Sequence, residues 1–167
     1  MSVSTNMFRS WRRPREVARS LLAQPQREDR AFGYLMAACF IIFVGQWPRL
    51  SRIAAGFDVL PGEETPEFAR LIAYEFLSWM VVWPLLMYLL ASVSRLIARL
   101  FGGRGTVYRS RLVLFWALLA STPALLLFGL TMGFIGAGIE ANLVGAVWVL
   151  GFGMIWFVGL REAEWGE

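Results

Sequence analysis

The sequence predicts an all-α polytopic membrane protein, with four transmembrane helices preceded by a short amphipathic interfacial helix. Three observations carry that prediction. Of 167 residues, 57% are hydrophobic and only 17% charged, and the mean hydropathy is +0.56; ordinary soluble domains are ~45–50% apolar with Gly included, and ~25% charged. The apolar residues are gathered into four blocks, 31–48, 76–94, 112–139 and 141–160, which contain no Asp, Glu or Arg. About 20 helical residues cross the ~30 Å of hydrocarbon, and none of the four blocks shows the polar stripe of a soluble bundle helix. The third observation is the charge distribution. Every basic residue is Arg, and seven precede the first block, five flank the second connection and one follows the last block. With both termini in the cytoplasm, thirteen arginines lie inside and three outside, the orientation that the positive-inside rule selects.

The chain divides into an Arg-rich cytoplasmic N-terminal segment (1–30), a four-span membrane domain (31–160) and an acidic cytoplasmic tail (161–167). Residues 1–13 read as loose chain. Pro14 opens a helix at its first turn, and Val17, Ala18, Leu21 and Leu22 form one face opposite Arg15, Glu16, Arg19 and Ser20. Such a helix either lies in the interface among anionic headgroups or docks on the protein's own end. Span one runs from about Ala31 to Trp47, with Cys39 as a small buried residue and Trp47 in the outer aromatic belt. In the outer connection, "PGEETPEF" makes Thr65 an N-cap and Pro66 the first helical residue, with Glu67 in the favourable first turn. The second helix continues past Arg99 and is kinked by Pro84. Glu75 is the acid nearest the spans. A carboxylate there is either a proton or cation site, or a solvated or Arg-paired group close to the outer interface.

Span three runs from about Leu112 to Ile135. Pro123 removes a helical hydrogen bond, and the hydroxyls of Ser121 and Thr122 stand ready to satisfy the freed carbonyls. Gly129 and Gly133 form a GxxxG surface for close helix approach. The short turn "GAGIEAN" makes spans three and four antiparallel neighbours, and Gly145, Gly151, Gly153 and Gly159 of span four receive span three or a second subunit.

Several chemistries are excluded. A single Cys and no His rule out an internal disulfide, CxxC chemistry and zinc sites built on those residues. "SWRRPRE" stands some seventeen residues before the apolar block, too far for a twin-arginine export signal, and "LMAACF" lacks the apolar run of a lipoprotein signal. "FGGRGT" lacks both P-loop spacing and a dinucleotide-binding context. It is a turn in which Gly102 and Gly103 end the second helix in a left-handed conformation, with Arg104, Arg109 and Arg111 at the headgroup layer.

The "GGRGT" loop, followed by "RLVLFWALLASTPALLL" with its mid-helix proline, resembles the bacterial branch of the Yip1 family, and the short alphaproteobacterial members in particular. The resemblance spans roughly residues 15–160, and its specific part is Gly102 to Pro123. It implies a small multi-span bacterial inner-membrane protein with no assigned reaction. The DLYGP-like segment expected of the Rab-associated eukaryotic members is absent from residues 1–30, so GTPase binding is not carried over. The function expected is that of a non-enzymatic organiser or assembly factor. Arg12, Arg13, Arg15, Arg19, Arg104, Arg109 and Arg111 would bind anionic lipid headgroups or a membrane or cytoplasmic protein, a second copy included. Pro84, Pro123, Gly129 and Gly133 would shape the packing. The alternative is a subunit of a small oligomeric transporter, drawing on Gln46, Glu75, Ser78, Thr122 and Thr131. An intramembrane enzyme would need a nucleophile and base within reach; the chain has no His, and Glu75 is the only nearby acid. No cofactor, metal or nucleic-acid partner is expected.

Overall fold

The computed structural model describes residues 2–57 and 66–166, and their regular structure is helical throughout. The elements are α1 (Val3–Arg12), α2 (Pro14–Leu22), α3 (Glu28–Gly45), α4 (Trp47–Ala54), α5 (Phe68–Leu77), a π-helical segment (Ser78–Val82), α6 (Trp83–Leu100), α7 (Val107–Phe134) and α8 (Ile139–Trp165). Four helical stretches, 28–54, 68–100, 107–134 and 139–165, are long and apolar enough to cross a membrane. The protein is a four-span, all-α membrane protein.

The central post is α7. Its apolar window is 72% buried, against 17% in both the α5–α6 stretch and α8, and every residue from Leu112 to Thr122 is buried. A helix that is apolar all round belongs either in lipid or in the middle of a bundle, and here the two cases divide between α8 and α7. Pro123 lies inside α7 and cannot donate to the carbonyl of Leu119, four residues earlier. The Thr122 hydroxyl donates to that carbonyl at 2.8 Å, the repair expected from the sequence. Ser121 donates to the Leu118 carbonyl at 2.9 Å and accepts the Trp148 indole N–H of α8 at 3.3 Å.

The glycines set how closely the spans approach. A Cβ on Gly129 would overlap the backbone carbonyl of Gly45, and one on Gly133 would overlap Pro48. The GxxxG surface of α7 therefore receives α3 and α4 within the same chain. On α8, a Cβ on Gly145 would lie 3.3 Å from Phe128 and one on Gly159 3.1 Å from Val113, which pins α7 and α8 as antiparallel neighbours; Gly153 faces open space.

Several sequence expectations need correction. Residues 3–12 are not loose but form α1, with Arg9 and Arg12 in its last turn, where cations oppose the helix dipole favourably. Pro14 excludes Arg13 from the helical region, so the chain breaks there (Arg13 φ −139°, ψ 60°) and restarts as α2. The helix that carries span one begins at Glu28, and after a turn at Gln46 Trp47 opens a separate amphipathic helix, α4. Thr65 lies outside the described residues. Pro66 is not helical, and Glu67, extended at φ −62° and ψ 132°, is the N-cap of a helix that starts at Phe68. Pro84 does not simply kink a continuous α-helix. It follows the wider π turn of Ser78–Val82, which accommodates a proline that cannot donate to the Met80 carbonyl.

The docking of α1 is deep. The Trp11 indole N–H donates to the Ala120 carbonyl at 2.9 Å, and the Trp116 indole N–H donates to the buried Ser10 hydroxyl at 3.0 Å. Ala120 lies thirteen residues along α7, about 20 Å from its start. The Trp11 ring also fills the space above Gly151, where a Cβ would overlap it. Trp11→Ala is therefore expected to release α1, raising proteolysis within residues 2–12 several-fold while the four spans stay folded. Unchanged protection of that segment would show that Trp11 does not hold it.

Candidate functional site at the arginine-rich end

The site is built around the last turns of α8. Residues 161–165 do not form a separate tail: α8 runs on to Trp165, and Glu162 and Glu164 are buried at 5% and 2% exposure. A buried carboxylate is tolerated only when paired and hydrogen-bonded, and both of these are. Glu162 accepts from Arg15 through one oxygen and from Arg19, at 2.7 Å, through the other. Glu164 Oε2 accepts from Arg95 at 2.9 Å and from the Gly105 N–H at 3.1 Å, while its Oε1 accepts from the Ser110 hydroxyl at 2.6 Å. The Glu164 main-chain carbonyl takes the Arg104 N–H at 2.9 Å.

The glycine loop between α6 and α7 now has a physical role. Gly102 is left-handed at φ 80° and ends α6, as expected. Gly103 is not left-handed; it is small because Glu164 and the Ala98 carbonyl crowd it, and a Cβ on Gly105 would overlap the Ala163 carbonyl. The loop does cradle an anion through a backbone N–H, and that anion belongs to the protein itself. Two segments far apart in sequence, α2 and the 102–110 loop, are thereby fastened to the end of α8.

That fastening divides the candidate arginines. Arg15 and Arg19 pair with Glu162, and Arg13 with Glu16 at 3.2 Å. The hydrogen bond from Arg9, with the Arg13 charge beside it, holds the Glu16 carboxyl below its ordinary value of 4.5. Arg111 reaches Glu28 at 3.5 Å and lies over the Tyr88 ring at 5.2 Å. Arg109 reaches the Glu162 carbonyl at 3.5 Å, and its Nε is buried without a partner. Of the seven candidates, Arg12 and Arg104 have side chains with no ion pair or hydrogen bond among the described residues, and Arg99 and Arg161, missed in the sequence, share that state. The face of α2 carrying Val17, Ala18 and Leu21 is buried against the protein, so α2 docks on its own chain. A cavity of about 540 Å³ opens between α2, Arg109 and the end of α8, with Arg19 and Glu162 in its wall.

Glu75 is not brought to this site. It lies near the other end of the bundle, twenty residues and about 30 Å along the helix from Arg95. Among the described residues it has no ion pair. No group of three or more metal-ligating side chains occurs among them either. Comparison with protein-family models, curated proteins and solved structures finds no match to this chain.

Proposed function

We propose that this chain is a non-enzymatic, Yip1-like membrane organiser of a bacterial inner membrane, with both termini cytoplasmic, and that its arginine-rich end binds anionic headgroups. The observation that carries this reading is the set of guanidinium groups left over after internal pairing: Arg12, Arg99, Arg104 and Arg161. Each belongs to an element fixed by the Glu162 and Glu164 cluster or by α7, so the charge is presented from a rigid base. The Yip1 resemblance, centred on Gly102–Pro123, agrees with a role in binding rather than reaction. The alternative, a transporter subunit, is less well supported. The hydroxyls of Thr122 and Thr131 are turned back onto the Leu119 and Leu127 carbonyls of their own helix, at 2.8 Å each.

The test is lipid composition around the protein extracted directly into polymer nanodiscs. An arginine near an anionic surface contributes about 1 kcal/mol, or roughly fivefold. Changing Arg12, Arg99, Arg104 and Arg161 to Gln together is expected to abolish enrichment of phosphatidylglycerol and cardiolipin. Changing Arg13, whose charge is engaged with Glu16, is expected to leave most of it. Equal enrichment in the fourfold variant and the wild type would refute the lipid reading.

A further inference from the structure

At the end of the bundle opposite the arginine cluster, α4, α5 and the start of the π segment line an open cavity of about 360 Å³. Its polar lining is Arg49, Tyr74, Glu75 and Ser78, and its apolar lining includes Leu50 and Leu71. Among the described residues none of the four polar side chains makes a hydrogen bond or ion pair. That is unusual for this chain. Ser51, Ser92, Ser121, Thr122 and Thr131 all turn their hydroxyls back onto a carbonyl of their own helix. Ser78, the first residue of the π segment, does not. Arg49 and Glu75 are both half-buried and share one cavity, yet no ion pair joins them. Two unpaired opposite charges at the edge of the hydrocarbon are costly, and a ligand carrying both charges would satisfy them together.

We propose that this cavity binds the headgroup of a phospholipid with a primary ammonium, of the phosphatidylethanolamine class. The phosphate sits on Arg49, whose guanidinium presents a fork of donors suited to it, and the ammonium donates to the Glu75 carboxylate. The Tyr74 and Ser78 hydroxyls donate to the remaining phosphate and ester oxygens. A ligand with only a negative charge would leave Glu75 unpaired. A quaternary ammonium offers no N–H to the carboxylate and is recognised by cages of several aromatic rings, whereas the lining here has only Tyr74.

Position selects a lipid over a soluble zwitterion. Glu75 is separated from Arg95 of the same helical stretch by about the thickness of the hydrocarbon, which places it at the headgroup boundary. From there toward the middle of the bundle, Leu77, Val81 and Leu85 are exposed at 55%, 48% and 66%. They form the apolar wall along which acyl chains would lie.

The experiment is native mass spectrometry of the purified protein loaded with equimolar phosphatidylethanolamine, phosphatidylcholine and phosphatidylglycerol. The wild type is expected to retain the ethanolamine lipid over the choline lipid by at least about tenfold, the scale of one hydrogen bond to a charged group. Glu75→Gln should bring that ratio close to one while keeping phosphatidylglycerol bound. Arg49→Gln should lose the ethanolamine lipid, while phosphatidylglycerol held at the arginine-rich end stays bound. Tyr74→Phe combined with Ser78→Ala leaves both charges and the packing in place and should lower retention several-fold without changing the lipid preference. Equal retention of ethanolamine and choline lipids by the wild type would overturn the proposal, as would an undiminished ratio in Glu75→Gln. Displacement by millimolar free phosphoethanolamine or serine, with no diacyl lipid retained, would also overturn it in favour of a soluble zwitterion.

Discussion

Glu164→Ala is expected to lower the stability of the solubilised protein by about 3–5 kcal/mol, the range for removing one partner of a buried ion pair. The carboxylate has no side-chain exposure, and Arg95 has only 18%. Without Glu164, the Arg95 charge and the Gly105 N–H would be left in a dry site with no acceptor, and the Ser110 hydroxyl would lose its partner. Glu164→Gln should be nearly as severe, since an amide group would turn N–H donors toward donors. Glu162 provides the comparison. Its partners Arg15 and Arg19 are 66% and 62% exposed, so solvent screens both pairs, and removing either arginine should cost only about 0–1 kcal/mol. Reversible unfolding in mixed micelles measures all three. A Glu164→Ala variant within 1 kcal/mol of the wild type would show that the cluster does not hold this end of the bundle.

Gly129→Ala is the second large effect, expected to destabilise by about 1–3 kcal/mol. Helix propensity runs the other way, favouring Ala over Gly by about 1 kcal/mol. Sterics decide the sign, because the new methyl would overlap the Gly45 carbonyl, a backbone atom that cannot turn aside. The α3–α7 crossing must open, and with it the packing of α4 on Gly133. Gly153→Ala is the control: nothing lies within 4 Å of its Cβ position, so the propensity gain should appear unopposed. The same micelle unfolding assay reads both, and a stabilised Gly129→Ala would contradict the close crossing.

The spans were legible because their signal is strong and local. Apolar blocks between arginines, a proline with its repair at the preceding Thr122, and the glycines of α7 all depend on neighbours within one helix or on simple length. Three features were not legible, each for a physical reason. Residues 2–12 carry no long apolar run, and α1 is held by two indole hydrogen bonds to residues more than a hundred positions away. The π segment depends on how the chain accommodates Pro84, which hydropathy does not register. Glu162 and Glu164 read as a charged end because a carboxylate beside Arg161 and Glu167 is ordinarily solvated; only the fold brings Arg15, Arg19 and Arg95 to them. The candidate arginines could not be sorted from the sequence into internally paired ones and ones left without a partner among the described residues.

The pairing of Arg15, Arg19 and Arg95 with the end of α8 also has a consequence in time. A ribosome makes all three arginines long before it reaches residues 162–164. While the first three spans are being inserted, those arginines are without the acids that later neutralise them, and their end of the nascent chain carries its greatest excess of positive charge. Charge bias acts on orientation during that interval. If the arginines orient the chain as the positive-inside rule expects, the same charges are used a second time, in the clasp that forms once the carboxylates of α8 are made.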